Sequence, residues 1–342
     1  MASRVEIGVV GVGPAPAQLT TKELPETVVI NFAKVCNLWC HHCLYQDVTL
    51  AREAAGKEHK EELFLPPDTM RAVADELASW STPAIIRIAA DGEPLIHPQA
   101  LPMIRQIKAN GLTVSITTNG ILLTERMIRD LLDSGIDVID ISIDAATPET
   151  FAKVRPSRGT VNFYPVVERN VLALIAARNE RRATTKVMVN LIDQPDAHED
   201  VPLFIDQWTK RGADAVLIRP FHSTSAQTIQ PGVITLKPHN TPTARFACKF
   251  PFTRMNVGFD HDGAPIVYYC SHDWTDKTIV GVLGRDGSLR DIWHGEAMEE
   301  IRRRHRENDY PAGSFCATCP DWYLGWGKSH SGLVEELKAR GA

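Results

Sequence analysis

Seven cysteines fall into two groups, and their spacing carries the chemistry of this chain. Cys36, Cys40 and Cys43 form a C-x3-C-x2-C run. Three closely spaced thiolates suit an iron–sulfur cluster, which takes soft sulfur ligands. A four-iron cluster held by three cysteines keeps one iron open to a substrate or cofactor. A structural zinc site needs a fourth donor, which His41 or His42 could supply. Cys248, Cys270, Cys316 and Cys319 form the second group: one cysteine, a strand pair, a second cysteine, a helix, then C-x2-C. Four thiolates suit tetrahedral zinc or a fully ligated four-iron cluster, and spacing does not separate the two.

The elements that must position these groups are legible from hydrophobic pattern. Apolar, β-branched runs at 28–32, 85–89, 113–117, 138–143, 186–191 and 215–219 predict strands. Helical patterns lie between them at 68–79, 99–110, 125–134, 165–179 and 201–211. This alternation predicts βα units on a parallel sheet, with nearly continuous apolar strands because helices cover a face. Asp68 is placed to cap the first helix. Gly111, Gly135 and Gly212 stand just past three helix ends, where a left-handed residue is often needed. Six units fit an open barrel better than a closed eight-stranded one, with chemistry in the loops after the strands. The first cysteine run is such a loop.

The pattern changes after the sixth strand. Residues 223–243 are rich in Ser, Thr, Pro and Gln and read as a linker. Strand-like pieces at 255–259, 265–269 and 280–283 and a helix near 296–305 make a second, small module. The expected organisation is an N-terminal segment 1–26, a βα barrel 27–222, the linker, and a metal-binding module with its tail over 244–342. Residues 51–62 read as a charged insertion. The basic run 301–306 follows two glutamates and reads as a solvated helix face. Gly11-Val12-Gly13 lacks the third glycine and the helix of a dinucleotide loop.

A net charge of -5 argues against nucleic-acid binding. No apolar run is long enough to span a bilayer. Arg4 and Glu6 interrupt the first apolar segment, so no signal peptide is assigned. A cytoplasmic location is expected, where seven cysteines mean metal or catalysis rather than disulfides.

Strand, C-x3-C-x2-C and a six-unit βα barrel together resemble the radical S-adenosylmethionine (SAM) superfamily. Further pieces are similar in order. Asp91-Gly92-Glu93-Pro94 resembles that family's Gly-Gly-Glu-Pro, with Asp91 in place of the first glycine. Thr117-Thr118-Asn119-Gly120 resembles its Thr-Asn-Gly stretch near the ribose. Ser142 resembles the polar residue near the SAM carboxylate, and His42 stands where an aromatic flanks adenine. The resemblance implies that Cys36, Cys40 and Cys43 hold a [4Fe–4S] cluster whose open iron is chelated by SAM. It implies Gly92 and Glu93 at the methionine amino group. It also implies electron supply from a flavodoxin- or ferredoxin-type reductant, and reductive cleavage of SAM to a 5′-deoxyadenosyl radical. The span from Cys248 to Cys319 resembles the auxiliary-cluster extension called SPASM, or twitch in its shorter form. No cysteine follows Cys319, so one auxiliary [4Fe–4S] cluster is expected. The expected fold class is α/β: a partial (β/α)6 radical SAM barrel followed by a small α+β twitch/SPASM-like domain.

Three reactions compete. Three ligands plus four use every cysteine, leaving no thiol to return hydrogen to a substrate radical. That favours oxidation of a carbinol in a sugar, cyclitol or related metabolite, with an electron passing to the auxiliary cluster. Epimerisation of a sugar or natural product needs a hydrogen donor and is the alternative. Modification of a ribosomal peptide is a further alternative. Arg155, Asn190, Asp193 and Arg219, at later strand ends, are the candidate substrate contacts.

Overall fold

The computed structural model describes residues 6–9, 20–43, 49, 63–81, 84–89, 91–221, 244–273, 276–319, 321–323 and 330–339. The linker 223–243, the insertion 51–62 and Gly11-Val12-Gly13 lie outside the described residues.

The strands are β1 (Glu6–Val9), β2 (Thr27–Ile30), β3 (Ile85–Ile88), β4 (Thr113–Thr118), β5 (Val138–Ser142), β6 (Lys186–Asp193), β7 (Ala215–Pro220), β8 (Arg254–Phe259), β9 (Pro265–Tyr268) and β10 (Ile279–Val282). The helices are α1 (Pro67–Ala78), α2 (Ala100–Ala109), α3 (Glu125–Asp133), α4 (Pro148–Val154), α5 (Tyr164–Glu180), α6 (Val201–Lys210), α7 (Phe250–Thr253), α8 (Leu289–His294), α9 (Glu296–Glu307) and α10 (His330–Ala339). All six expected strands form, as β2 to β7, parallel and side by side in chain order. β1, in the segment read as preceding the barrel, adds in parallel to β7. β8 adds in parallel to β2, and β9 and β10 continue antiparallel. One mostly parallel sheet therefore joins the βα region to the small C-terminal module.

Side-chain alternation gives the sheet two different faces. Ile30, Ile88, Ile116, Ile141 and Val189 join the core beneath the helices. Helix α3 shows how that layer is built. Thr124 accepts from the Met127 N–H at 3.2 Å and caps the start, and Gly135, at φ +71°, follows the end. Between them Ile128, Leu131 and Leu132 are buried. Each buried side chain of this size contributes about 1.5–3 kcal/mol, so Leu131→Ala would cost roughly 2–5 kcal/mol. Gly111 and Gly212 also take positive φ, as expected.

The opposite face is apolar only at its lower end. There Ile85, Val138, Met188, Ala215 and Leu217 pack with Leu333, Val334 and Leu337 of α10. Higher on the same face the strands carry polar side chains, Arg87, Ser115, Asp140, Asn190 and Arg219 among them. The His330 imidazole bonds Ser115 of β4 at 3.2 Å and Arg219 of β7 at 3.4 Å. In a flat sheet three strand spacings would separate β4 and β7 by about 14 Å. The sheet therefore wraps around α10, leaving a polar interior above an apolar plug.

Two sequence readings are corrected. Pro66 stands at the N-cap position of α1 and makes no side-chain cap bond. Asp68 is in the first turn instead, 3.0 Å from Arg71, where its charge still suits the helix end. In the basic run, Arg303, Arg304 and Arg306 do pair with Glu299, Glu300 and Glu307. Arg302 turns inward, donating to the Pro251 and Trp293 carbonyls at 3.0 and 2.8 Å and stacking on the Trp293 ring. Among the described residues no helix is long and apolar enough to cross a membrane.

Candidate active site

The first cysteine loop leaves the end of β2 and is pinned by the loop after β3. Gly92 packs so closely on it that a Cβ would stand 2.4 Å from the Ala33 and Val35 carbonyl oxygens. Any side chain there would push the two loops apart. The Glu93 N–H donates to the Val35 carbonyl at 2.9 Å. The Glu93 carboxylate, 2 % exposed, accepts from Leu95 N (3.1 Å), Thr118 Oγ1 (2.8 Å) and Asn119 N (2.7 Å). Burial pushes its pKa up, and these hydrogen bonds oppose the shift. Asn119 in turn donates to Asn37 Oδ1 at 2.6 Å and lies 3.8 Å from the Cys36 sulfur. Thus Gly92, Glu93, Thr118 and Asn119 form one unit with the cysteine loop. Asp91, the departure from the family motif, accepts from Asn31 Nδ2 at 2.5 Å.

Cys40 and Cys43 bracket a tight turn in which Cys43 N donates to the Cys40 carbonyl at 3.1 Å. Burial pushes the Cys36 thiol up to about 12, and Cys40 and Glu93 add to the shift. Burial also raises Cys40, while Arg155 opposes it. Arg155 Nε lies 3.3 Å from the Cys40 sulfur and 3.4 Å from Asp144, and Nη1 donates to the Ser142 carbonyl. A thiol set in which anionic charge is so disfavoured fits a cationic iron core, which holds its ligands as thiolates. His42 lies 3.6 Å from Asp144 and 3.4 Å from Gln194. Burial lowers it to about 4 against the pull of Asp144, so the imidazole is neutral near pH 7.

The barrel interior continues from this loop through a chain of polar contacts. Ser142 Oγ donates to Asn190 Oδ1 at 2.9 Å, and Asn190 Nδ2 to Asp140 Oδ1 at 2.8 Å. Asp140 Oδ2 accepts from Arg219 at 2.8 Å and from Thr117 at 3.3 Å. Arg87 Nη2 donates to Thr117 Oγ1 at 3.4 Å. Thr117 therefore faces the interior, whereas Thr118 faces Glu93. Of the four candidate substrate contacts, Asn190 and Arg219 join this network, and Arg155 sits against the cysteine loop. Asp193 does not join: it pairs with the exposed His198 at 2.7 Å.

The second group of cysteines is assembled by α7, β9 and the chain after α9. Cys248, Cys270, Cys316 and Cys319 line one pocket, walled by Phe250, Phe315 and Trp322. Cys319 N donates to the Cys316 carbonyl at 3.3 Å, repeating the turn of the first loop. Burial raises all four thiols. Tyr269 Oη lies 3.4 Å from the Cys316 sulfur, His272 N donates to Cys270 at 3.4 Å, and Arg245 donates to the carbonyls of Cys316 and Ala317. Four convergent, largely buried cysteines, two of them with hydrogen-bond partners at sulfur, fit an iron–sulfur cluster.

Sequence reasoning missed Arg87, Asp140, Asp144, Gln194, Arg254 and His330. Arg87 and Asp140 had a signal: each is the lone charge in an otherwise apolar strand of a parallel sheet, Ile85-Ile86-Arg87-Ile88 and Val138-Ile139-Asp140-Ile141. Such a charge must face a polar interior. His330 had none, because only the fold brings the C-terminal helix into the barrel.

Residues 30–204 match the family model for the radical SAM superfamily, and residues 248–320 that for the SPASM iron–sulfur cluster-binding domain. The tungsten-containing aldehyde ferredoxin oxidoreductase cofactor-modifying protein of Pyrococcus furiosus is 31% identical over 111 residues, 32% of this chain and 28% of that protein. The AdoMet-dependent heme synthase of Methanosarcina barkeri is 32% identical over 135 residues, 40% of this chain and 36% of that protein. The match thus spans only about a third of the length of these relatives. Among solved structures, BtrN in complex with AdoMet and 2-DOIA superposes with a TM-score of 0.54 at 17% identity, over 88% of this chain and 94% of that one. SuiB of Streptococcus suis bound to S-adenosylmethionine gives 0.62 at 13% identity, over 92% and 75%. These two share the fold. With slightly more than half of its residues matched by the superfamily model, the chain belongs to the radical SAM superfamily and carries a SPASM iron–sulfur cluster-binding domain.

Proposed function

We propose that this protein is a radical SAM oxidoreductase that converts a carbinol C–H of a sugar, cyclitol or related metabolite to a ketone. Cys36, Cys40 and Cys43 hold the SAM cluster, and Cys248, Cys270, Cys316 and Cys319 hold one auxiliary cluster. When bound, these groups supply a 5′-deoxyadenosyl radical for hydrogen abstraction and an acceptor for the substrate's second electron.

The chain's own residues bind, orient and exclude water. Glu93, pinned to the cysteine loop, holds Thr118 and Asn119 in place on the SAM side, with Gly92 allowing the close approach. Ser142 and the neutral His42 complete that wall. Asn190, Asp140, Thr117 and Arg219 form the polar interior in which a polyhydroxylated substrate finds hydrogen-bond partners. Leu333, Val334 and Leu337 of α10 close its lower end and keep water from the radical.

One observation carries the choice of oxidation. The four C-terminal cysteines converge on one pocket and the other three lie in the first loop, so no cysteine is left over as a dedicated hydrogen donor. The test is turnover in deuterated water over a panel of alcohols and sugars. Oxidation gives a ketone two hydrogens lighter, with no deuterium at the abstracted carbon. A product of unchanged mass in ordinary water that gains one deuterium in deuterated water would establish epimerisation instead.

A further inference from the structure

Among the described residues, charge in the polar interior does not balance. Arg87, Arg219 and Arg254 converge there from β3, β7 and β8, and the Nε atom of each is buried with no hydrogen-bond partner among the described residues. Arg254 faces Cys248 and Cys270, and it stacks on Phe250 at 3.9 Å. Thiolates at those two positions offset its charge. Arg87 and Arg219 face one carboxylate, Asp140. Asp140 bonds Arg219 directly, accepts from Asn190 and Thr117, and has the His330 ring 3.5 Å away. Among the described residues Arg87 hydrogen-bonds only the neutral Thr117 hydroxyl. Burial, Arg219 and Arg254 all press against the Arg87 charge, and Asp140 offsets them only in part.

Guanidinium groups stay protonated in proteins. An unpaired one below a closed core is costly, and that cost is retained where a ligand relieves it. The two side chains are not fully sealed: that of Arg219 is 16 % exposed and Arg87 is of intermediate exposure. His330 opens α10 at the same spot, bonding Arg219 and Ser115. It is held neutral by burial and by the three arginines. It therefore adds a polar partner but no charge of its own.

We infer that Arg87 and Arg219, with Arg254 and His330 along the same wall, bind an oxyanion of the substrate, a carboxylate or a phosphate, on the floor of the barrel interior. This rests on the proposed reading of the interior as the substrate chamber and narrows the substrate to an acidic or phosphorylated metabolite. Planar guanidinium forks suit either oxyanion.

The test uses the reconstituted holoenzyme with SAM bound, so that the SAM site is filled. Thermal stability is read with inorganic phosphate, acetate or chloride at equal ionic strength, for the native chain and for Arg87→Met. Phosphate or acetate should stabilise the native enzyme over chloride, and the stronger of the two names the oxyanion. Arg87→Met should weaken that anion by at least about tenfold, as loss of a charged hydrogen bond does. The same variant should raise the melting temperature in chloride, because it removes an unpaired buried charge and orphans no carboxylate. No anion effect in the native enzyme, an undiminished effect in Arg87→Met, or a lower melting temperature in chloride overturns the assignment. Deoxyadenosine formation by the same samples is read separately. If it is absent, the radical SAM reading fails; if it is present without anion binding, only the oxyanion site fails.

Discussion

Arg155 Nε lies 3.3 Å from the Cys40 sulfur, and the same guanidinium joins Asp144 and the Ser142 carbonyl. One buried cation thus ties the cysteine loop to the end of β5. Arg155→Leu leaves the Asp144 carboxylate buried with its cation gone. Breaking a buried pair in this way costs roughly 3–5 kcal/mol. The variant should melt several degrees lower and hold less iron than the native enzyme. Thermal denaturation and an iron count under anaerobic conditions check it; a native melting point and full iron would show that Arg155 is dispensable.

Glu93 is an organiser as well as a proposed SAM contact. Its carboxylate holds the backbone of Asn119 and the hydroxyl of Thr118. Glu93→Ala should weaken SAM binding by about tenfold or more, since each hydrogen bond to a charged group is worth about 1.5–3 kcal/mol. Iron content should stay near native, because the cysteines are untouched. Equilibrium binding of SAM decides it, and unchanged affinity would place the contact elsewhere.

Much of this arrangement is legible in the sequence, for identifiable reasons. Parallel strands covered by helices read as apolar runs, so β2 to β7 were found. Loops that must approach closely leave fixed residues, such as Gly92 beside Ala33 and Val35. What could not be read depends on long-range assembly. The pairing of β1 with β7, the wrapping of the sheet around α10, and the meeting of His330 with Arg219 join residues far apart in the chain. Arg302 misled because a basic run looks alike whether a member faces water or the Trp293 ring.

His330 predicts a pH dependence of stability. Burial, followed by Arg87, Arg219 and Arg254, holds its folded pKa well below 6.5, even with the Asp140 carboxylate 3.5 Å from the ring. Below about pH 6.5 the unfolded chain binds a proton at this imidazole that the folded chain refuses, so stability falls as the pH drops. Above that pH the effect is absent. The slope from this one group is at most about 1.4 kcal/mol per pH unit. His330→Asn should therefore lose less stability than the native chain between pH 7.5 and 5.5. Equal losses in melting temperature would show that His330 does not carry the dependence.

The second cysteine cavity predicts a separable cluster. Replacing Cys316 and Cys319 by alanine removes two of four converging thiols. Iron should fall from about eight to about four per chain, as loss of one four-iron cluster requires. Ketone formation should fall at least about tenfold while some SAM is still cleaved. Iron analysis with product quantification checks it, and full ketone yield in the variant would remove the auxiliary cluster from the reaction.

The assignment of the first cysteine loop meets its most direct test in 5′-deoxyadenosine. After anaerobic reconstitution, the native chain with SAM and dithionite should release it. The variant with Cys36, Cys40 and Cys43 all replaced by alanine should release none, while keeping the roughly four irons of the second cluster. Deoxyadenosine from that triple variant would contradict the account, because SAM would then be cleaved without the three thiols that are proposed to hold its cluster.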